Sequence, residues 1–340
     1  MRSEGLLDLQ VNGYAGVDFN DAGIDAAAVD HALGAMLRHG VTRCLPTVIT
    51  ATEDALQARL QALDAAVAAS RLGPLMVPGW HLEGPFLNPG VGFRGCHPPE
   101  AMVPPDPSLL ARVTAGLRRP VLLLTLAPER DGAEAVIAWA VRQGILVAIG
   151  HSDARAAVVA RAVAAGVRMS THLGNGLPGV LPKLDNPLMA QLAEDGLAAG
   201  FIADGVHVPP FALRAMARAK GPGRAILVTD AVSAAAAPPG RYGFAGFAID
   251  AAADGSVRTP GTGTLAGSAL RLDQAVRNAQ AWGLADAAGA VGMASRDPAA
   301  LLAPSLAAAG AALDPGWVDW DDGLRVVASG VGEVVYRSLT

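Results

Sequence analysis

Four residues of this 340-residue chain have the right types to do chemistry together: Glu83, His151, His172 and Asp230. A carboxylate and two neutral imidazoles can hold a divalent ion and leave a position open for water. Zinc in such a site lowers the pKa of that water toward about 7, so hydroxide is available at neutral pH. Asp230 can then take the water's proton and deliver it to a leaving group. Taken singly, each histidine reads equally as a side chain that only bonds a backbone carbonyl, and Glu83 as a buried, paired carboxylate. The case rests on where all of them fall in the elements.

Those elements alternate. Apolar strand segments are expected at 6–12, 44–50, 75–83, 121–127, 145–151, 168–172, 198–204 and 225–230, with Ala-rich helical segments between most of them. Near-continuous apolar strands separated by helices imply a parallel sheet covered by helices. Eight such units fit an α/β fold of the (β/α)8 TIM-barrel type. A doubly wound open sheet is the alternative, but no strand is followed by a glycine-rich dinucleotide or phosphate loop. In a barrel the C-terminal strand ends meet on one face. His81 and Glu83, His151, His172 and Asp230 close strands, and His207 follows another, just after Asp204. Gln10 and Asn12 interrupt the first apolar run and share a strand face with Asp8, so two amides there need partners.

After Asp230 the pattern changes. A β excursion is expected at about 240–262, helices at 267–282 and 286–302, and strands at 317–338. This divides the chain into a barrel at 1–310 and a small β appendage at 311–340. "GTGTLAGSAL" (261–270) is Gly-rich and reads either as a weak phosphate cradle or as a helix start packed close to the barrel.

Composition bounds the function. The chain is 51% hydrophobic and carries a net charge of -5, with no basic cluster, so no nucleic-acid partner is expected. No apolar run is long enough to span a membrane, and the N-terminal residues have no signal-peptide core. Two cysteines, Cys44 and Cys96, make no disulfide framework, so a cytoplasmic setting is expected.

"HLEGPF", "GHSDA", "THLGNGLPG", "DGVHVPP", "LVTDA" and "GTLAGS" occur here in the order and spacing of N-acetylglucosamine-6-phosphate deacetylases, and from about Leu6 to Leu302 the chain resembles that family of amidohydrolases. The resemblance implies a barrel with one divalent metal per chain, zinc or iron, held by Glu83, His151 and His172. It makes Asp230 the catalytic acid and base. It places His207, Asn175 and Gly176 against the sugar or scissile amide. Gln10 and Asn12 stand where other amidohydrolases have His-x-His for a second metal, so they face the metal site and substrate and imply a single tight ion. His97 and Lys183 become candidates for the phosphate side, as does Arg94. Lys183 stands eleven residues after His172, where the family has an arginine that reaches a neighbouring subunit, so a homodimer is expected.

The chain also departs from the family. It begins at the expected first barrel strand, so the N-terminal half of the usual β-sandwich is expected to be absent and the C-terminal strands are expected to form a reduced appendage. Gly176 and Leu177 replace the family's Ala and Met. The implied reaction is hydrolysis of the N-acetyl group of an amino-sugar phosphate. The alternatives are an amidohydrolase acting on another N-acyl or cyclic amide, and a non-catalytic relative that binds sugar phosphate.

Overall fold

A computed structural model of the chain describes residues 1–312 and 314–338. Leu313, Leu339 and Thr340 fall within the expected appendage and lie outside the described residues. Eight parallel strands form one sheet: Leu6–Val11, Val41–Ile49, Trp80–Glu83, Val121–Leu126, Leu146–Ile149, Met169–Ser170, Ala198–Ile202 and Ala225–Val228. Strands such as Leu6–Val11 and Val121–Leu126 are buried at every residue, as a sheet covered on both faces requires. The last strand returns to the first through a parallel bridge between Val11 and Ala231, and Asp230 N donates to the Gln10 carbonyl at 2.9 Å. This is a nearly closed (β/α)8 barrel.

The covering helices start where their sequences say they should. Asp25, Thr52 and Asn186 each cap a helix by accepting from a backbone N–H inside it. Leu56, Leu60, Leu63 and Val67 recur at helical spacing on Glu53–Ala69 and are buried. Replacing one such leucine by alanine costs about 2–5 kcal/mol.

Three local expectations are corrected. Residues 75–83 are not one strand: Gly73–Met76 is a helical turn, and only Trp80–Glu83, beyond Pro78 and Gly79, joins the sheet. The helix expected from 267 begins at Leu272, because Gly267 has φ +70° and the segment before it packs on the barrel. The helix expected at 286–302 is two helices, Ala287–Gly292 and Arg296–Ala308.

The chain also does not begin at the barrel. Arg2–Glu4 pairs antiparallel with Trp317–Trp320, which continues through Val326–Val331 to Val334–Arg337 in a four-stranded sheet. The chain's own first residues thus cover the outer side of Trp317–Trp320. Arg2 forms a bidentate pair with Asp319 and lies over Trp317, 4.3 Å from the ring centre. Three residues, two of them charged, carry no strand periodicity, so nothing marked them in advance.

Candidate active site

Three of the four singled-out side chains converge at the C-terminal mouth of the barrel on one point. His172 Nε2 lies 3.1 Å from Glu83 Oε1 and 3.1 Å from His151 Nε2. His151 Nε2 lies 3.3 Å from the same Glu83 oxygen. A tetrahedral ion at ordinary zinc distances sets its ligand atoms about 3.4 Å apart. The triangle therefore fits a divalent ion, and the donor set is one that zinc or iron accepts.

The fold orients these three side chains. His151 Nδ1 donates to the Phe93 carbonyl at 2.6 Å, which turns the Nε2 lone pair toward Glu83 and His172. Gly176 lies so close to this ring that a Cβ would sit 2.7 Å from His151 Nδ1, at φ +61°. The ring occupies the space an alanine side chain at 176 would need. Glu83 and His172 are both buried. Burial works against the Glu83 carboxylate, yet its bonds to His151 and His172 hold its pKa well below the ordinary value. Burial likewise opposes charge on His172, and Glu83 more than offsets it, so that pKa is raised.

Backbone strain concentrates here. His151, His172 and Asp230 have φ of 51°, 26° and 49°, in the left-handed region that side chains other than glycine's rarely adopt. Each stands two residues past the end of its barrel strand. Such strain costs on the order of 1–3 kcal/mol per residue and persists where the surroundings enforce it, commonly at functional sites.

Asp230 is enforced on both sides. Ser268 N donates to its carbonyl at 2.9 Å, and Val232 N to the Ser268 carbonyl at 3.0 Å. The Gly267–Ser268 turn is thus not a helix start: it packs on the barrel, and its Ser268 N–H holds the Asp230 backbone. On the side chain, Asn12 Nδ2 donates to Oδ1 at 2.7 Å and Gln10 Nε2 to the same oxygen at 3.2 Å. Gln10 Nε2 also lies 3.2 Å from Glu83 Oε2. The amides of the first strand thus face the two carboxylates and tie them together. Burial pushes the Asp230 pKa up to about 6, against the pull of the nearby His172.

A cavity of about 350 Å³ opens on this cluster. His207 lines it, with Nδ1 donating to Asp204 Oδ2 at 2.6 Å and Nε2 left for a ligand. Asn175 and Gly176 line it as well, and Asn175 Nδ2 donates to the His172 carbonyl at 3.0 Å. His97 is buried on its wall, with Nδ1 3.0 Å from Thr50 Oγ1. Glu83, His97 and His151 also bring ligating atoms within 4.8 Å of one another. His172 makes the tighter set, because its Nε2 meets both other ligands directly, whereas the His97 ring stacks edge-on to His151 at 4.4 Å. Gln10 is fully buried behind the wall rather than on it. Lys183 is exposed on a loop outside its own chain's cavity.

Sequence reasoning missed the Phe93 carbonyl and Arg258, which also lines the cavity. No motif could have revealed a backbone carbonyl. Arg258, the lone basic residue in the Gly/Thr-rich stretch before "GTLAGS", was the available signal.

Fold and site define the class: a hydrolase of the amidohydrolase type, with a site fit for a divalent ion. No protein-family model matches the chain. Among curated proteins it is 34% identical to the N-acetylgalactosamine-6-phosphate deacetylase of Shewanella sp. (strain ANA-3), across 98% of this chain and 83% of that one. It is 36% identical to the N-acetylglucosamine-6-phosphate deacetylase of Mus musculus, with the same two coverages. Among solved structures, a mutant of N-acetyl-D-glucosamine-6-phosphate deacetylase from Mycobacterium smegmatis, in complex with N-acetyl-D-glucosamine-6-phosphate, aligns with a TM-score of 0.84 at 32% identity, covering 97% of this chain and 85% of that one. The chain belongs to the N-acetylglucosamine-6-phosphate deacetylase family of the amidohydrolase superfamily.

Proposed function

We propose that the protein hydrolyses the N-acetyl group of N-acetylglucosamine 6-phosphate, giving glucosamine 6-phosphate and acetate. The observation that carries this is the triangle of Glu83, His151 and His172 beside a buried Asp230 in one cavity. A divalent ion bound there supplies a Lewis acid for the acetyl carbonyl and lowers the pKa of water. Both amide donors go to Asp230 Oδ1, and Oδ2 has no hydrogen bond among the described residues, so Oδ2 is the oxygen left to hold a proton. Asp230 accepts the proton of the attacking water and returns it to the sugar nitrogen as the C–N bond breaks. His207, oriented by Asp204, contacts the acyl or sugar group through Nε2. Asn175 and Gly176 shape the floor beside His151 and His172.

We further infer one zinc ion per chain, a homodimer and a cytoplasmic setting. The single ion is supported by the amides at Gln10 and Asn12, which are weak ligands beside imidazole. The dimer is supported by the loop around Lys183, where Val180 and Leu184 stand 89% and 70% exposed. The setting is supported by Cys44 and Cys96, both free thiols. No helix among the described residues is long and apolar enough to cross a membrane.

The galactosamine epimer is a second reading, since the Shewanella relative is named for it. Comparing kcat/KM for the two N-acetylated 6-phosphates distinguishes them. A higher value for the glucosamine epimer supports the proposal, and a higher value for the galactosamine epimer replaces it. Light scattering at micromolar concentration tests the dimer, and a strictly monomeric mass contradicts it.

A further inference from the structure

We propose that Arg258 is the residue that reads the phosphate of the substrate in this chain, from its own subunit. The inference rests on the amino-sugar phosphate reading above and names the group that makes phosphate matter. Arg258 is the one lysine or arginine among the described residues that line the cavity over Glu83, His151, His172 and Asp230. The other charged groups on that wall are the two carboxylates of the reacting end. A divalent ion bound at Glu83, His151 and His172 offsets those carboxylates, so the orienting charge is the guanidinium itself, and a phosphate drawn to it leaves the acetamide toward Asp230.

Its charge is uncompensated and its base is fixed. Among the described residues Arg258 forms no ion pair; its Nη1 donates to the Gly263 carbonyl, within its own turn. Asp254 is close enough to feel the charge but not to pair with it. Arg258 ends the short strand Val257–Arg258, which pairs with Asp250 and Ala251. Arg258 bridges antiparallel to Leu265, and Thr259 N donates to the Thr264 carbonyl at 3.1 Å. This hairpin brings Arg258, Gly263 and Thr264 onto the same cavity wall. A guanidinium gives phosphate two parallel donors in a fixed fork, which a lysine cannot.

The other two cations do not line this chain's own cavity. Arg94 borders a shallower recess that shares the Gly95, His97 and Thr264 walls but lies beside the main cavity. Lys183 is exposed on a loop outside its own chain's cavity, so it is the candidate from the partner side of the proposed homodimer, which Lys183→Ala separates from Arg258.

The test compares kcat/KM for N-acetylglucosamine 6-phosphate and for N-acetylglucosamine in metal-loaded wild type, Arg258→Ala, Arg258→Lys and Lys183→Ala, with metal content and circular dichroism measured for each. Losing a charge-assisted pair should cut the phosphorylated-to-unphosphorylated ratio by about 10- to 100-fold in Arg258→Ala, mainly through KM. Arg258→Lys should recover part of it, because a point charge remains. Lys183→Ala should keep the wild-type ratio. Titrating glucosamine 6-phosphate by calorimetry should give the same order of affinities without turnover. A wild-type ratio in folded, metal-loaded Arg258→Ala overturns the proposal, as does a collapse of the ratio in Lys183→Ala instead. If wild type hydrolyses neither sugar, the functional reading itself has failed and this one with it; if wild type prefers the phosphate and Arg258→Ala does too, only this one has.

Discussion

His151 Nε2 and His172 Nε2 face each other at 3.1 Å, with Glu83 Oε1 within 3.3 Å of both. Two imidazole nitrogens so placed cannot both carry protons comfortably, and a shared cation satisfies both lone pairs at once. Elemental analysis should find about one divalent ion per chain. Chelation should lower Tm, and restoring zinc or iron should raise it again. Two tightly held ions per chain would contradict the single-ion site.

Asp230→Asn keeps the shape and the backbone bonds to Gln10 and Ser268 but removes the proton acceptor. Turnover should fall about 10² to 10⁴-fold, the usual range for loss of general acid–base catalysis. Metal content should stay near wild type, since Asp230 is not one of the three ligands. Retention of most activity would place the proton transfer elsewhere.

Gln10 bonds Glu83 and Asp230 with one amide nitrogen. In Gln10→Leu both carboxylates lose a buried donor, and they approach each other's charge without it. Each lost bond to a charged group is worth about 1.5–3 kcal/mol. Thermal unfolding should show a lower Tm, and kcat should drop at least about tenfold with the ion still bound. A variant with wild-type kcat and Tm would make the bridge irrelevant.

His39 supplies a pH-dependent stability term away from the cavity wall. It pairs with the Tyr14 hydroxyl at 2.9 Å, and burial pushes its pKa down to about 4. In the unfolded chain an ordinary histidine titrates near 6.5. Between those values the unfolded state binds more protons, so stability rises with pH through this window and is lost as pH falls from about 6.5 to about 4. Buried His81, pushed down to about 4, acts in the same direction. His39→Gln should therefore flatten the plot of Tm against pH across that window. An unchanged slope would mean that His39 is not buried uncharged.

The barrel was legible because its signal is physical and local. Runs such as "VLLLTL" and "ILVAIG" are apolar on both faces, and a charged or polar residue closes many of them. Glu83, His151, His172 and Asp230 could be read as neighbours because all strand ends of a barrel meet on one face. Gln10 and Asn12 were legible as a problem, two amides in a buried run, and their partners became visible only with the fold. Other features depend on contacts that leave no local trace. Arg2–Glu4 is a strand only because Trp317–Trp320 lies beside it. The left-handed backbone of His151, His172 and Asp230 is imposed by the barrel rim. Arg258 reaches the cavity because a hairpin beyond the last barrel strand folds back over the mouth, a path with no periodicity to announce it.

Acetate release from N-acetylglucosamine 6-phosphate, measured on metal-loaded wild type and on Asp230→Asn side by side, decides whether this site deacetylates an amino-sugar phosphate through Asp230. Wild type should release acetate and glucosamine 6-phosphate in equal amounts, and the variant should do so at a rate at least about a hundredfold lower. No acetate from wild type carrying its full complement of ion, or equal rates from the two proteins, would contradict that reading.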